Sequence, residues 1–326
     1  MAFGIVTSAA MPVRDQQLAL AARGRIGTWL AEDGWSHRRF DMPVAEGTAP
    51  RGSILFQGGR GDVFEKYFET MAHWADRGWA VTSFDWRGQG GSGRLSANAR
   101  VGHAADFAPW IADLARFWAQ WRAETPGPHV LMGHSMGGHL ILRAMLEGVV
   151  VPDAAVLVAP MLGLHAKPFG AGLARRVAHL MARLGAPERA AWRDNEIPGT
   201  RFARNVLLTG DADRYADELA WKELRPEIGV GPPSWGWVAA AFDSCRYIET
   251  RSALATLKVP MLILSAEADR LVDATATARI AARLPNARLV RFGAESAHEI
   301  LREVDAVRDH ALSEIDALLD STAPAA

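Results

Sequence analysis

The stretch from His129 to Glu147 constrains this chain more than any other. A short apolar segment, His129–Gly133, runs straight into Gly133-His134-Ser135-Met136-Gly137-Gly138, and helical periodicity continues from Ser135 to Glu147. A G-x-S-x-G motif between a strand and a helix forms a sharp turn that lifts the serine Oγ above the end of a sheet. Glycine at the flanking positions lets the strand and helix backbones pass closely. The helix behind the serine starts with unpaired backbone N–H groups, which can stabilise charge developing on a reacting oxygen. Ser135 is therefore read as a nucleophile and not as turn filler. Such a turn needs a buried, mostly parallel sheet beneath it.

The rest of the chain supplies the pattern for one. Ser53–Phe56, Trp79–Phe84, Ala154–Val158, Pro260–Leu264 and Ala287–Phe292 read as strands. Helical spacing marks Asp62–Arg77 (stopping at Gly78), Asp106–Glu124, Ala274–Leu284 and Ile300–Leu319. Strands alternating with helices of this length predict an α/β fold whose sheet is covered on both faces. Between residues 161 and 250 the rhythm breaks. That stretch offers helical pieces (Ala171–Leu184, Tyr215–Leu224, Ser234–Thr250), Pro/Gly loops such as Ile228–Pro233, and four of the chain's 12 tryptophans: Trp192, Trp221, Trp235 and Trp237. The expected division is a core of residues 1–160 and 251–326, with 161–250 as a helical cap over the active-site end of the strands. An independent second domain is the alternative. The cap reading requires the strands on either side of the insertion to pair with each other.

A serine nucleophile needs a general base, and that base needs an orienting acid, in the chain order Ser, Asp or Glu, His for this type of sheet. His139 lies on the elbow helix, His165 and His179 fall in the expected cap, and His310 sits inside the terminal helix. His298 follows a strand by the short loop Gly293–Ala297, which makes it the candidate base. The loop after Pro260–Leu264 supplies the acid. Asp269 is the choice, Glu267 is the rival, and Asp273 reads as the N-cap of the next helix. One oxyanion donor is expected from the backbone N–H of Met136. The second comes from the glycine-rich loop Gln57-Gly58-Gly59-Arg60-Gly61, at Gly59 or, alternatively, Arg60.

A net charge of −1 gives no electrostatic reason to expect a nucleic-acid partner. Cys245 is the single cysteine, so no internal disulfide can form, and scattered histidines offer no ligand cluster; neither metal nor cofactor is expected. The start lacks a basic segment before its short apolar run, and no apolar run reaches the roughly 18 residues a membrane span needs. A cytoplasmic location follows as the expectation. In the cap, Leu173, Val177, Leu180, Met181 and Leu184 share one helical face, and Arg175, Arg176 and Arg183 lie largely away from it. The plainer reading packs that apolar face on the core; the other docks it on an anionic membrane.

Taken together, these residues resemble the monoglyceride lipase and lysophospholipase group of α/β-hydrolases. Four segments carry the likeness: Gly133 to Gly138, Phe84-Asp85-Trp86-Arg87-Gly88-Gln89-Gly90-Gly91-Ser92, Ser265 to Asp273, and Ala297-His298-Glu299-Ile300-Leu301. The resemblance spans roughly residues 35 to 320, with the cap least alike. It implies the α/β-hydrolase fold, maps Ser135, Asp269 and His298 onto a triad and Met136 and Gly59 onto the oxyanion donors, and implies lipid-like ester substrates. Gln57-Gly58 departs from the His-Gly usual in monoglyceride lipases, and Gln57–Tyr67 looks more like the bacterial lysophospholipase branch. A short-chain or xenobiotic esterase, a thioesterase, and a non-catalytic ligand-binding relative are the competing expectations.

Overall fold

The computed structural model describes residues 14–166, 168, 170–192 and 207–324. Its centre is an eight-stranded sheet made of β1 (Arg25–Leu30), β2 (Ser36–Met42), β3 (Gly52–Gln57), β4 (Trp79–Phe84), β5 (His129–His134), β6 (Ala154–Val158), β7 (Met261–Ala266) and β8 (Ala287–Phe292). The spatial order is β1-β2-β4-β3-β5-β6-β7-β8. From β4 through β8 every pairing is parallel, while β1–β2 and β2–β4 are antiparallel. All residues of β3, β5, β6 and β7 are buried, as continuous apolar runs covered on both faces must be. The β1–β2 edge was not expected from sequence. Arg25–Leu30 is exposed at five of six positions, pairs with β2 along its length and sends Trp29 into the core.

Helices cover both faces. On one side α3 (Ala108–Glu124) and α4 (Met136–Leu146) bring Leu114, Phe117, Trp121, Leu140 and Ile141 to the core. On the other, α2 (Phe68–Ala75) and the closing helix contribute Phe68, Met71, Trp74, Leu312 and Ile315. A short helix, α1 (Asp15–Ala22), precedes β1. Two expected helices are broken in the same way. Residues 62–77 become a single 3-10 turn, Phe64–Tyr67, followed by α2, because the Asp62 carboxylate folds back onto the Gly59 N–H (2.7 Å) instead of opening the helix. Residues 300–319 split into a 3-10 turn, Ile300–Arg302, and a helix from Asp305 to Thr322. There the Glu303 carboxylate accepts from Ala297 N (2.7 Å) and Gly210 N (2.8 Å).

The chain leaves the sheet after β6 and returns at β7, and these two strands pair directly from Ala155–Met261 to Val158–Leu264. Among the described residues the excursion contains α5 (Gly170–Arg183), α6 (Ala212–Leu224), α7 (Trp235–Thr250) and no strand of the sheet. Helix α7 is capped by the Ser234 hydroxyl, which accepts from Trp237 N. Helix α6 packs on the core: Trp221 meets Phe68 edge to face at 5.8 Å, and Arg214 pairs with Glu69 at 2.8 Å. Helix α5 packs on α7 through the buried Ala178. Its leucine-rich face does not pack on the core: Leu173, Val177, Leu180 and Leu184 are 46%, 44%, 52% and 71% exposed, and only Met181 of that set is half-buried. Lys167 and Phe169, which the sequence adds to the basic and apolar residues of this segment, lie outside the described residues. Helix α8 (Ala274–Ala281) and α9 (Asp305–Thr322) complete the chain. No helix among the described residues is long and apolar enough to cross a membrane.

Candidate active site

Ser135 stands between β5 and α4 with φ 51° and ψ −115°, a backbone conformation that costs about 1–3 kcal/mol. One buried leucine of α4 offsets that amount. The turn is possible only because its flanks carry no side chains. A Cβ on Gly133 would lie 2.5 Å from Gly138 N, and one on Gly137 would lie 2.3 Å from Gln57 O. Ser135 N donates to Val158 O (2.9 Å), so β6 holds the turn from the neighbouring strand.

His298, in the loop after β8, places Nε2 2.9 Å from Ser135 Oγ. Its Nδ1 is 2.6 Å from Asp269 Oδ2, in the loop after β7. An ionised carboxylate only accepts, so Nδ1 carries the proton and donates to Asp269, which leaves Nε2 to accept from the Ser135 hydroxyl. The other Asp269 oxygen accepts from Leu271 N (2.7 Å) and Val272 N (3.1 Å). Burial favours the neutral carboxyl, but His298 and these two amides outweigh it and hold Asp269 below the usual carboxylate range. Burial likewise disfavours charge on His298. Asp269, by its charge and hydrogen bond, reverses that and raises the imidazole above its ordinary value. An imidazole can accept a proton only when neutral. Hydrolysis carried by this histidine is therefore expected to rise with pH through a midpoint above the usual histidine value of about 6.5. A pH profile of kcat/KM whose acidic limb falls at lower pH would contradict the Asp269 pairing.

The other candidates are placed elsewhere. The Glu267 side chain is 54% exposed and faces Arg291 at 3.6 Å. Asp273 caps α8, accepting from Thr275 N at 2.9 Å. His139 is buried between Met161 O and Ser244 Oγ, and burial pushes it down to about 3. His179 pairs with Asp243, and His310 lies 3.5 Å from Glu314. His165 is closer to the site than sequence suggested, with Nε2 2.9 Å from the Asp269 carbonyl.

Of the two expected oxyanion donors, Met136 opens α4 directly beside Ser135. Gly59 also approaches Ser135; a Cβ there would lie 2.9 Å from Ser135 Cβ. Its N–H, however, is donated to Asp62 Oδ2. Arg60 sends its guanidinium across to Gly231 O (2.9 Å) and over the Trp237 ring (5.5 Å), tying this loop to the insertion. A buried charge network behind the loop went unnoticed in the sequence. Lys66 Nζ bonds Asp62 (2.6 Å), Glu299 (2.6 Å) and Glu218 (3.1 Å), Arg302 pairs with Glu218 and Glu299, and Lys222 reaches Glu218. The only sequence signal was the i, i+4 spacing of Asp62 and Lys66.

Ser135 and His298 are 9% and 4% exposed. A cleft of about 760 Å³ lined by Arg94, Arg100, Lys222, Glu227 and Pro232 contains none of Ser135, His298 and Asp269.

The chain is similar to known proteins in sequence and in fold. The family described as serine aminopeptidase, S33, matches residues 48–305. Lysophospholipase L2 of Escherichia coli K12 is 34% identical over 274 residues, 79% of this chain and 77% of that one. Probable lysophospholipase L2 of Haemophilus influenzae is 27% identical, covering 84% and 85%. A soluble variant of Saccharomyces cerevisiae monoglyceride lipase superposes with a TM-score of 0.74 at 19% identity, covering 92% and 96%. Monoacylglycerol lipase of Paleococcus ferrophilus does so at 0.68 and 18%, covering 87% and 98%.

Proposed function

The chain belongs to the serine aminopeptidase S33 family of α/β-hydrolases and is a serine ester hydrolase of lipid-like substrates, and from that premise we propose that Ser135, His298 and Asp269 carry the reaction and that lysophospholipids are its preferred esters. The continuous relay from Ser135 Oγ through His298 to Asp269, at 2.9 and 2.6 Å, carries the first part of this reading. His298 Nε2 takes the hydroxyl proton as Ser135 Oγ bonds to the ester carbonyl carbon. The Met136 N–H and an amide of the Gln57–Gly61 loop hold the oxyanion, each such donor contributing about 3 kcal/mol. His298 then passes its proton to the leaving alcohol. Water, activated by the same imidazole, releases the fatty acid and restores Ser135. Residues 161–250 act as the cap, with Arg60 and Trp237 at its contact with the oxyanion loop.

The head-group preference rests on the lysophospholipase L2 relatives, which match this chain at higher identity than the monoglyceride lipases do. A hydrolysis panel of lysophosphatidylcholine, lysophosphatidylethanolamine, monoacylglycerol, p-nitrophenyl esters and an aminoacyl anilide tests it. The anilide is included because the family description names an aminopeptidase. The lysophospholipids should give the highest kcat/KM; a tenfold preference for monoacylglycerol or anilide overturns the assignment.

We also propose that α5 docks on a membrane surface. Its exposed Leu173, Val177, Leu180 and Leu184 lie beside a basic hollow lined by Arg175, Arg176, His179 and Arg183, of which Arg175 and His179 are shared with Asp243. Leucines that enter the acyl boundary and arginines that meet lipid phosphates suit an anionic surface. Replacing Arg175, Arg176 and Arg183 by Gln is expected to lower hydrolysis of substrate in anionic vesicles several-fold and to leave a soluble short-chain ester unaffected. Equal losses on both, or none on either, would remove the docking role.

A further inference from the structure

The Gln57–Gly61 loop and the elbow before Ser135 meet at one buried carboxylate. Asp62 Oδ2 accepts from the Gly59 N–H (2.7 Å) and lies 2.8 Å from the Tyr67 hydroxyl and 2.9 Å from His134 Nδ1; its Oδ1 accepts from Lys66 Nζ (2.6 Å). His134 immediately precedes Ser135, and its Nε2 is 3.3 Å from the backbone carbonyl of His298, with the two rings 4.8 Å apart. Lys66 also reaches Glu299, the residue after His298, and Glu218 of α6. Asp62, Glu218 and Glu299 thus face Lys66, Lys222 and Arg302, and the oxyanion loop, the elbow, the His298 loop and α6 are joined through buried charges.

We propose that Asp62 is a positioning residue for the reaction: through Gly59 and His134 it fixes the oxyanion loop against both Ser135 and the His298 loop. This rests on the roles of Ser135 and His298 proposed above. A carboxylate and an oxyanion do not share one N–H, because both are negative acceptors. With the Gly59 amide turned onto Asp62, the second oxyanion contact is assigned to the N–H of the next residue, Arg60. Placement errors of about 1 Å at such a donor cost on the order of a hundredfold in rate.

Asp62 also carries charge. Lys66 and the His134 hydrogen bond outweigh its burial and keep it ionised, well below the usual carboxylate range. Asp269, Glu299 and Asp62 are the negative groups that favour protonated His298, with His134 beside the ring and Lys66 and Arg302 behind Glu299. Removing the Asp62 charge makes His298 lose its proton at lower pH.

The test uses a soluble p-nitrophenyl ester, so it does not depend on lipid preference. Asp62→Asn places an NH2 among groups that already donate. It is expected to lower kcat about a hundredfold with KM within threefold, and to move the acidic limb of the kcat/KM profile to lower pH. Asp62→Glu keeps the charge and should leave that limb at its wild-type position. A purely structural role would lower the folded fraction without moving the limb, so active-site titration with a fluorophosphonate is used to express rates per folded site. An Asp62→Asn enzyme with wild-type kcat per site, or a limb that moves equally in both variants, overturns the proposal. Failure of the wild-type protein to label at Ser135 would instead overturn the reading of the triad.

Discussion

Ser135→Ala is expected to abolish hydrolysis of every ester in the panel, with kcat falling roughly a million-fold, as for loss of a serine nucleophile elsewhere. The substitution removes one oxygen and its contact with His298 Nε2. A hydrogen bond of this kind contributes about 0.5–1.5 kcal/mol net, small against the 5–15 kcal/mol by which a domain is stable. The elbow itself survives, since it depends on Gly133, Gly137 and the Ser135 backbone bond to Val158 and not on the hydroxyl. Circular dichroism and the thermal midpoint should therefore match wild type, while turnover and fluorophosphonate labelling are lost together. Activity within tenfold of wild type in a correctly folded variant would remove Ser135 from the mechanism and the whole reading with it.

The parts of the site that were legible in sequence are those that local chain carries. Ser135 announces itself because strand, turn and helix are contiguous, and His298 and Asp269 because each follows a strand by a short loop. The strands Trp79–Phe84, Ala154–Val158 and Ala287–Phe292 have the bounds expected from their apolar runs. β1 and β2 escaped because Arg25–Leu30 and Ser36–Met42 mix charged and apolar residues without a clean alternation, and their pairing is backbone work at an edge. The Asp62 network escaped for a different reason. Its members come from positions 62, 66, 134, 218, 222, 299 and 302, and each alone reads as an ordinary surface charge or motif filler. On α5 the amphipathic pattern was plain, but which face is covered depends on where α7 lies.

Asp269→Asn is expected to lower kcat about ten-thousandfold, and the hydrogen bonds around the carboxylate show why an almost isosteric change should matter so much. Oδ1 accepts from Leu271 N and Val272 N, and Oδ2 accepts from His298 Nδ1. Two backbone donors facing one position force the asparagine carbonyl oxygen to sit there. The amide NH2 is then left pointing at His298. A donor opposite Nδ1 requires that nitrogen to accept, so the proton moves to Nε2, and Nε2 can no longer take one from Ser135. The loss falls on kcat while the fold is preserved. Glu267→Gln should be mild, because its side chain is half exposed and faces Arg291. Asp273→Asn should cost little as well, since asparagine caps α8 about as well as aspartate. Steady-state kinetics on the three variants separates the candidates: a severe Glu267→Gln with a mild Asp269→Asn would move the acid two residues towards β7.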